Sequence, residues 1–257
     1  MRLIAVCLTF FFSVHAALAN DDADRLVDAL GVPALIQAFS AEGEQAGQSI
    51  DDGFLDGQGG DVWAETVRRL YDPARMEAEI RATMTEVMDP DMAAQALLFF
   101  ESDLGRKIID LEVKARQAII DPQVEAAAKA APSAQGASVT DFLAARDLID
   151  RNTDVAVEAR TAFFDGLILA SGHADAPDVE ALRPGIAEET ESWLRGYYAV
   201  IQSALSADDI AIYTAFWETE VGVAVDDALF AAFGQSYTTL SYALGQAAGR
   251  MMPQSEL

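Results

Sequence analysis

His173, in the polar stretch SGHADAPD, is the only histidine in the chain besides His15, and Cys7 is its only cysteine. Zinc coordination of the ordinary kind, and Ser-His or Cys-His catalysis, set an imidazole beside a second ligand or a nucleophile. Cys7 and His15 fall in an N-terminal segment that is read below as removed on export, so any such site would rest on His173 alone. A solvent-exposed loop histidine is the simpler reading. Carboxylates offer a second chemistry, since 42 residues are Asp or Glu. Paired carboxyl groups hydrolyse glycosides, and clustered ones bind calcium. The stretch DDGFLDGQGGD, residues 51–61, resembles a calcium loop in composition, but a frame begun at Asp52 puts Phe54 at the third position and Trp63 at the twelfth, where Glu is needed. It reads instead as an acidic, glycine-rich connection between helices. Met76, Met84, Met88 and Met92 recur at multiples of four, and thioethers bind Cu(I). Pro90 interrupts that row, however, and methionine commonly fills irregular cores. No catalytic, cofactor-binding or metal-ligating residue is assigned, and no cofactor is expected.

The elements that would position any site are helical. Ala, Leu, Glu, Asp and Arg recur with helical spacing from Asp24 to Met252, and almost nothing alternates with the strand period of two. In ALGVPAL, Gly31 is suited to close one helix and Pro33 to open the next. That next helix carries Leu35, Phe39, Ala46, Ile50 and Phe54 as its apolar stripe and stops at the glycines of DGQGGD, after which Asp61 is placed to cap a further helix. YDPAR, MDPDM and IDPQV each set Asp before Pro, an N-cap followed by a residue pre-set for the first helical position. KAAPSAQGAS, Lys129 to Ser138, gathers Pro, Gly, Ser and Ala and reads as a linker.

Splitting the chain there aligns FFESDLGRK with FWETEVGVA at one constant offset: Phe99 with Phe216, Phe100 with Trp217, Ser102 with Thr219, Gly105 with Gly222. At the same offset Ile80, Met84, Met88 and Asp91 meet Tyr197, Ile201, Leu205 and Asp208. Downstream, Leu104, Ile108, Leu111 and Ala115 meet Val221, Val225, Ala228 and Ala232. A weaker echo joins RLVDAL at 25–30 to RDLIDR at 146–151, with a shifted offset. The reading is an all-α protein of two related multi-helix halves built on a repeated helical hairpin: signal peptide 1–19, first half 20–130, linker 131–138, second half 139–257. In each corner Ser102 or Thr219 would cap the second helix, with Asp103 or Glu220 at its positive end. Gly105 and Gly222 lie where glycine costs about 1 kcal/mol relative to alanine, which calls for a close backbone approach. Phe100 and Trp217 are expected to face the core.

LFFESDLGRKI after MDPDM resembles the signature stretch of the secreted bacterial family known as domain of unknown function 2059, through Phe99, Phe100, Ser102 and Gly105. Asp103 and Leu104 stand where that family often has a Pro. The resemblance covers roughly Asp61 to Ala118 and is looser over the second copy. It implies an exported helical protein and carries over no catalytic residue.

Export is also legible at the N-terminus, where Arg2, the apolar run LIAVCLTFFFSV and the small residues Ala17 and Ala19 form a signal-peptide pattern with cleavage near Ala19/Asn20. The apolar run is too short to span a bilayer. Periplasmic or secreted location is therefore expected, with no membrane span after cleavage. The formal net charge is −25, and losing Arg2 makes the mature chain more acidic still. Such a surface excludes nucleic acid and anionic lipid, whose binding needs clustered Lys and Arg. The expected function is a non-catalytic binding or interaction protein of the cell envelope, whose partner is an envelope protein or a small apolar ligand. The alternatives are a carboxylate-based hydrolase and a copper- or calcium-binding protein.

Overall fold

The three Asp-Pro dipeptides each start a helix, because the aspartate carboxylate accepts the backbone N–H groups that the first helical turn leaves without partners. Asp72 accepts from Arg75 N and opens a helix at Pro73, Asp89 accepts from Asp91 N and Met92 N before Pro90, and Asp121 accepts from Gln123 N before Pro122. The computed structural model describes residues 14–172 and 177–252, with side chains from Asp21 onward. The residues 1–13, the side chains of Ala17 and Ala19, and His173 lie outside these, and with them the signal-peptide reading.

Twelve α-helices and no strand form among the described residues, so the protein is all-α. In order they are α1 (Val14–Ala29), α2 (Val32–Phe54), α3 (Gly60–Leu70), α4 (Pro73–Val87), α5 (Pro90–Phe100) and α6 (Asp103–Ala118). There follow α7 (Pro122–Ala130), α8 (Ala137–Ala145), α9 (Leu148–Ser171), α10 (Arg183–Gln202), α11 (Ala207–Trp217) and α12 (Glu220–Met251). Short 3-10 helices span Pro132–Gln135 and Glu180–Leu182. The expected linker is thus a packed turn followed by the start of α8: Ala134 is fully buried, and its 3-10 helix lies against α10.

The spine is α12, which packs along α9 and also meets α2, α3, α4, α5 and α11. Its approach to α9 is backbone to backbone. A Cβ on Gly245 would stand 1.9 Å from the Phe163 carbonyl oxygen, and one on Gly166 would stand 2.2 Å from that of Tyr242. One continuous core joins residues from both sides of 131–138, among them Met84, Phe100, Phe142, Ile201 and Val225.

Two expectations on the α2–α3 region need correction. The buried face of α2 is formed by Val32, Ile36, Ala38, Gly43, Gly47 and Asp51, whereas Leu35, Phe39, Ile50 and Phe54 are half-buried and Ala46 is exposed. Glycine carries no hydrophobic signal, yet Gly43 and Gly47 are the positions onto which Tyr71 and Val67 press, 2.2 Å and 2.7 Å from where a Cβ would be. Asp61 does not cap α3. It sits within the first turn, Gly59 holds the cap position, and the buried Asp51 carboxylate accepts the Gly59 N–H at 2.8 Å. The connection folds back onto α2 through left-handed Asp56, Gly57 and Gly60, so a carboxylate from the previous helix serves where a local cap was expected. The weaker echo also has no structural counterpart: RLVDAL closes α1, with Leu30 just past its end, while RDLIDR crosses the junction of α8 and α9, where Asp147 has φ +50°.

Candidate functional site

Ser102 caps α6 by accepting the Gly105 N–H at 3.0 Å, and Thr219 caps α12 by accepting the Gly222 N–H at 3.0 Å. Asp103 and Glu220 stand in the first turns of these helices, where the positive end of the helix dipole favours them. A Cβ on Gly105 would lie 2.1 Å from the Phe99 carbonyl oxygen, and one on Gly222 would lie 2.2 Å from that of Phe216. In each corner the glycine therefore lets the new helix fold tightly over the end of the preceding one. The aromatic residues of the two corners also meet each other. Phe99 stacks on Phe216 with centroids 4.3 Å apart, and Phe100 packs edge-on to Phe216 at 5.1 Å and against Trp217 at 5.9 Å. Phe100 and Trp217 are buried, as expected. The four aromatic residues form a packing centre, in which Trp217 Nε1 is buried without a hydrogen-bond partner. Met76, Met84 and Met88 are buried in the same core, and Met92 packs at its edge.

Beside this centre lies a buried polar cluster. Arg146, next after α8, reaches Asp226 of α12 with Nη2 at 2.5 Å and Nε at 3.4 Å, while Nη1 donates to the Tyr198 hydroxyl at 3.3 Å. Its guanidinium carbon sits 3.8 Å from the centroid of Trp217. Glu112 of α6 accepts from the Tyr213 hydroxyl at 2.6 Å. Burial pushes the Glu112 carboxyl above the ordinary glutamate value, an effect that the Tyr213 hydrogen bond and Arg146 oppose.

The cavity with the chemistry of a binding site lies elsewhere. It holds about 410 Å³ between α2, α4 and α6 on one side and α9, α10 and α12 on the other, within the size range of small-molecule sites. Its walls are mainly aromatic and aliphatic, with Phe39 from α2, Trp193 from α10 and Phe230 and Phe233 from α12. Arg116, in the last turn of α6, lies between two of these rings, its guanidinium carbon 4.5 Å from the Phe39 centroid and 4.7 Å from that of Trp193. Its Nη2 donates to Glu42, the one carboxylate in the cavity wall. Burial raises the Glu42 carboxyl and Arg116 opposes the shift, while nearby Glu125 adds to it. The Arg116 Nε and the Ser236 Oγ are both buried without a hydrogen-bond partner. Burial also raises the Tyr71 hydroxyl, which stays protonated at neutral pH.

None of the eight residues of the repeated corners lines this cavity, and of the residues that do, the sequence singles out Phe39, Ala46, Met76 and Ile80, none of them as a binding residue. Arg116 and Glu42 read as ordinary helix-surface charges in the chain. No local signal marks them, because their partners lie on other helices. Among the described residues no group of three or more His, Cys, Asp or Glu is arranged to hold a metal ion. No described helix is long and apolar enough to cross a membrane.

This is a helical protein with an inter-helix cavity. Residues 74–133 match the sequence model of the family described as "Uncharacterized protein conserved in bacteria (DUF2059)". The match contains the first corner and contributes Met76, Ile80 and Arg116 to the cavity wall. No curated protein and no solved structure matches the chain at significant similarity.

Proposed function

We propose that the protein is an exported, non-catalytic binding protein of the bacterial cell envelope whose cavity receives a small, largely apolar molecule. The observation that carries this reading is the cavity itself: about 410 Å³, walled by Phe39, Trp193, Phe230 and Phe233, with only a few polar groups. Export is supported by the N-terminal apolar run and the small residues Ala17 and Ala19. Hydrolysis by paired carboxylates has less support, because such a pair stands about 5 to 9.5 Å apart across its substrate, whereas Glu42 is alone in the wall and engaged by Arg116.

Native mass spectrometry of the protein isolated from the envelope, together with melting curves in a panel of small apolar molecules, tests this reading. A bound small molecule or a raised melting temperature is expected, and both should disappear in Gly234→Leu. Gly234 lines the cavity, and a Cβ there meets only Val155 at the ordinary distance of 3.5 Å, so the larger side chain can occupy the space without breaking α12. An empty protein whose melting temperature no apolar compound changes would end the proposal.

A further inference from the structure

The cavity is unbalanced in its hydrogen-bonding groups. A guanidinium presents five N–H donors and no acceptor. In Arg116 the described hydrogen bond runs from Nη2 to Glu42 and uses one of the two Nη2 hydrogens, Nε is buried without a partner, and Nη1 donates to no described residue. Phe39 and Trp193 stand 4.5 Å and 4.7 Å from the guanidinium carbon, and because both two-point edges of a guanidinium use Nη2, the edge left to a ligand is the one built on the second Nη2 hydrogen. Ser236 Oγ is likewise buried and unpaired in the same wall, and as a hydroxyl it is able to donate or accept. Glu42 is the single charged acceptor and is already engaged.

Resting on the reading of this cavity as a ligand site, we infer that its ligand is a monocarboxylate with an apolar body, whose carboxylate is taken by the free edge of Arg116. The edge of a guanidinium matches a carboxylate in a two-point, charge-assisted arrangement, which a neutral hydroxyl or a cation cannot reproduce. Leaving buried donors unpaired is unfavourable, so an acceptor-rich head group gains more here than on a hydrated surface. The aromatic walls take the apolar body. The protein's negative charge, −25 overall, works against any anion at long range, and an anion is held here only because Arg116 is local and partly desolvated, with 14% of its side chain exposed.

The test is calorimetric titration of the full mature chain at fixed ionic strength. The probes are decanoate, decanol and decyltrimethylammonium, each below its micellar concentration, and acetate as the head group without a body. Decanoate is expected to bind about tenfold or more tighter than decanol, as a charge-assisted two-point contact would give, with acetate and the cation weaker still. Arg116→Gln should abolish the preference for decanoate while leaving decanol unchanged. Glu42→Gln, which frees the guanidinium from its internal carboxylate, should tighten decanoate, and this second variant decides the matter if Arg116→Gln fails to fold. Equal affinity for decanoate and decanol, preference for the cation, or weaker decanoate binding in Glu42→Gln would overturn the carboxylate assignment while leaving a ligand cavity in place. Failure of every probe to bind would remove both.

Discussion

Arg146 and Arg116 are built from the same parts and finished differently. Each guanidinium lies on aromatic rings, Trp217 and Phe142 for Arg146, Phe39 and Trp193 for Arg116, and each is paired with one carboxylate from a distant helix. Around Arg146 the set is closed: Nε, Nη1 and Nη2 all donate, and both it and Asp226 are less than 10% exposed, at 8% and 5%. Around Arg116 the set is open. One nitrogen is engaged, one is buried and unpaired, Glu42 is 30% exposed, and a cavity adjoins the pair. A buried charge whose donors are all used holds elements together, whereas one with donors to spare beside an empty volume is equipped to take up something else.

The largest effect that sharpens this contrast belongs to Arg146→Met. Asp226 would stay buried with only Arg151 near it, at 3.4 Å, and removing one partner of a buried ion pair costs about 3 to 5 kcal/mol. Urea denaturation should show that loss, while decanoate binding by the folded fraction stays unchanged. A loss no larger than that of an exposed ion pair would erase the distinction between the two arginines.

Next come the paired substitutions Gly105→Ala and Gly222→Ala. In each, the new Cβ is driven onto a carbonyl oxygen of the preceding helix, and overpacking of this kind costs about 1 to 3 kcal/mol. Both variants should lose stability by similar amounts, and neither should alter the cavity. If one corner tolerates alanine while the other does not, their likeness is confined to sequence.

The smallest effect is a pH dependence. The Glu112 carboxyl titrates above its ordinary value of 4.5 because burial disfavours the anion, so between that value and the raised one the folded chain holds more proton than the unfolded chain. Its contribution to stability is present below the ordinary glutamate range and is lost as pH rises through the raised value. Glu112→Gln keeps an acceptor for Tyr213 and removes the titration. The variant's melting temperature should therefore gain on the wild type as pH climbs from 4.5 towards neutrality, and a constant difference would contradict this account.

Helix starts were legible because they are local. Asp72, Asp89, Asp121, Ser102 and Thr219 each bond to backbone within three residues, so the dipeptide or tripeptide carries the whole instruction. The close fit at Gly105 and Gly222 was legible for the same reason, as the obstructing carbonyl belongs to the turn just before. Where glycine served a distant neighbour, at Gly43, Gly47, Gly166 and Gly245, the chain gave no sign of it, because the atoms that exclude a Cβ belong to other helices. Asp51 taking the capping place expected of Asp61 is a related miss: an eight-residue return of the chain supplied the acceptor.

By itself the sequence determined an all-helical chain, the places where most of its helices begin, and two matched corners, since each of these depends on interactions within a turn or two. Only the tertiary structure decided that the two corners stack on one another, that Arg146 is sealed in the core, and that Arg116 faces a cavity. Those outcomes join residues 74 and 80 positions apart, as in Arg116 with Glu42 and Arg146 with Asp226. A charged residue on a helix surface reads alike in sequence whether the helix packed against it closes over its donors or leaves them open.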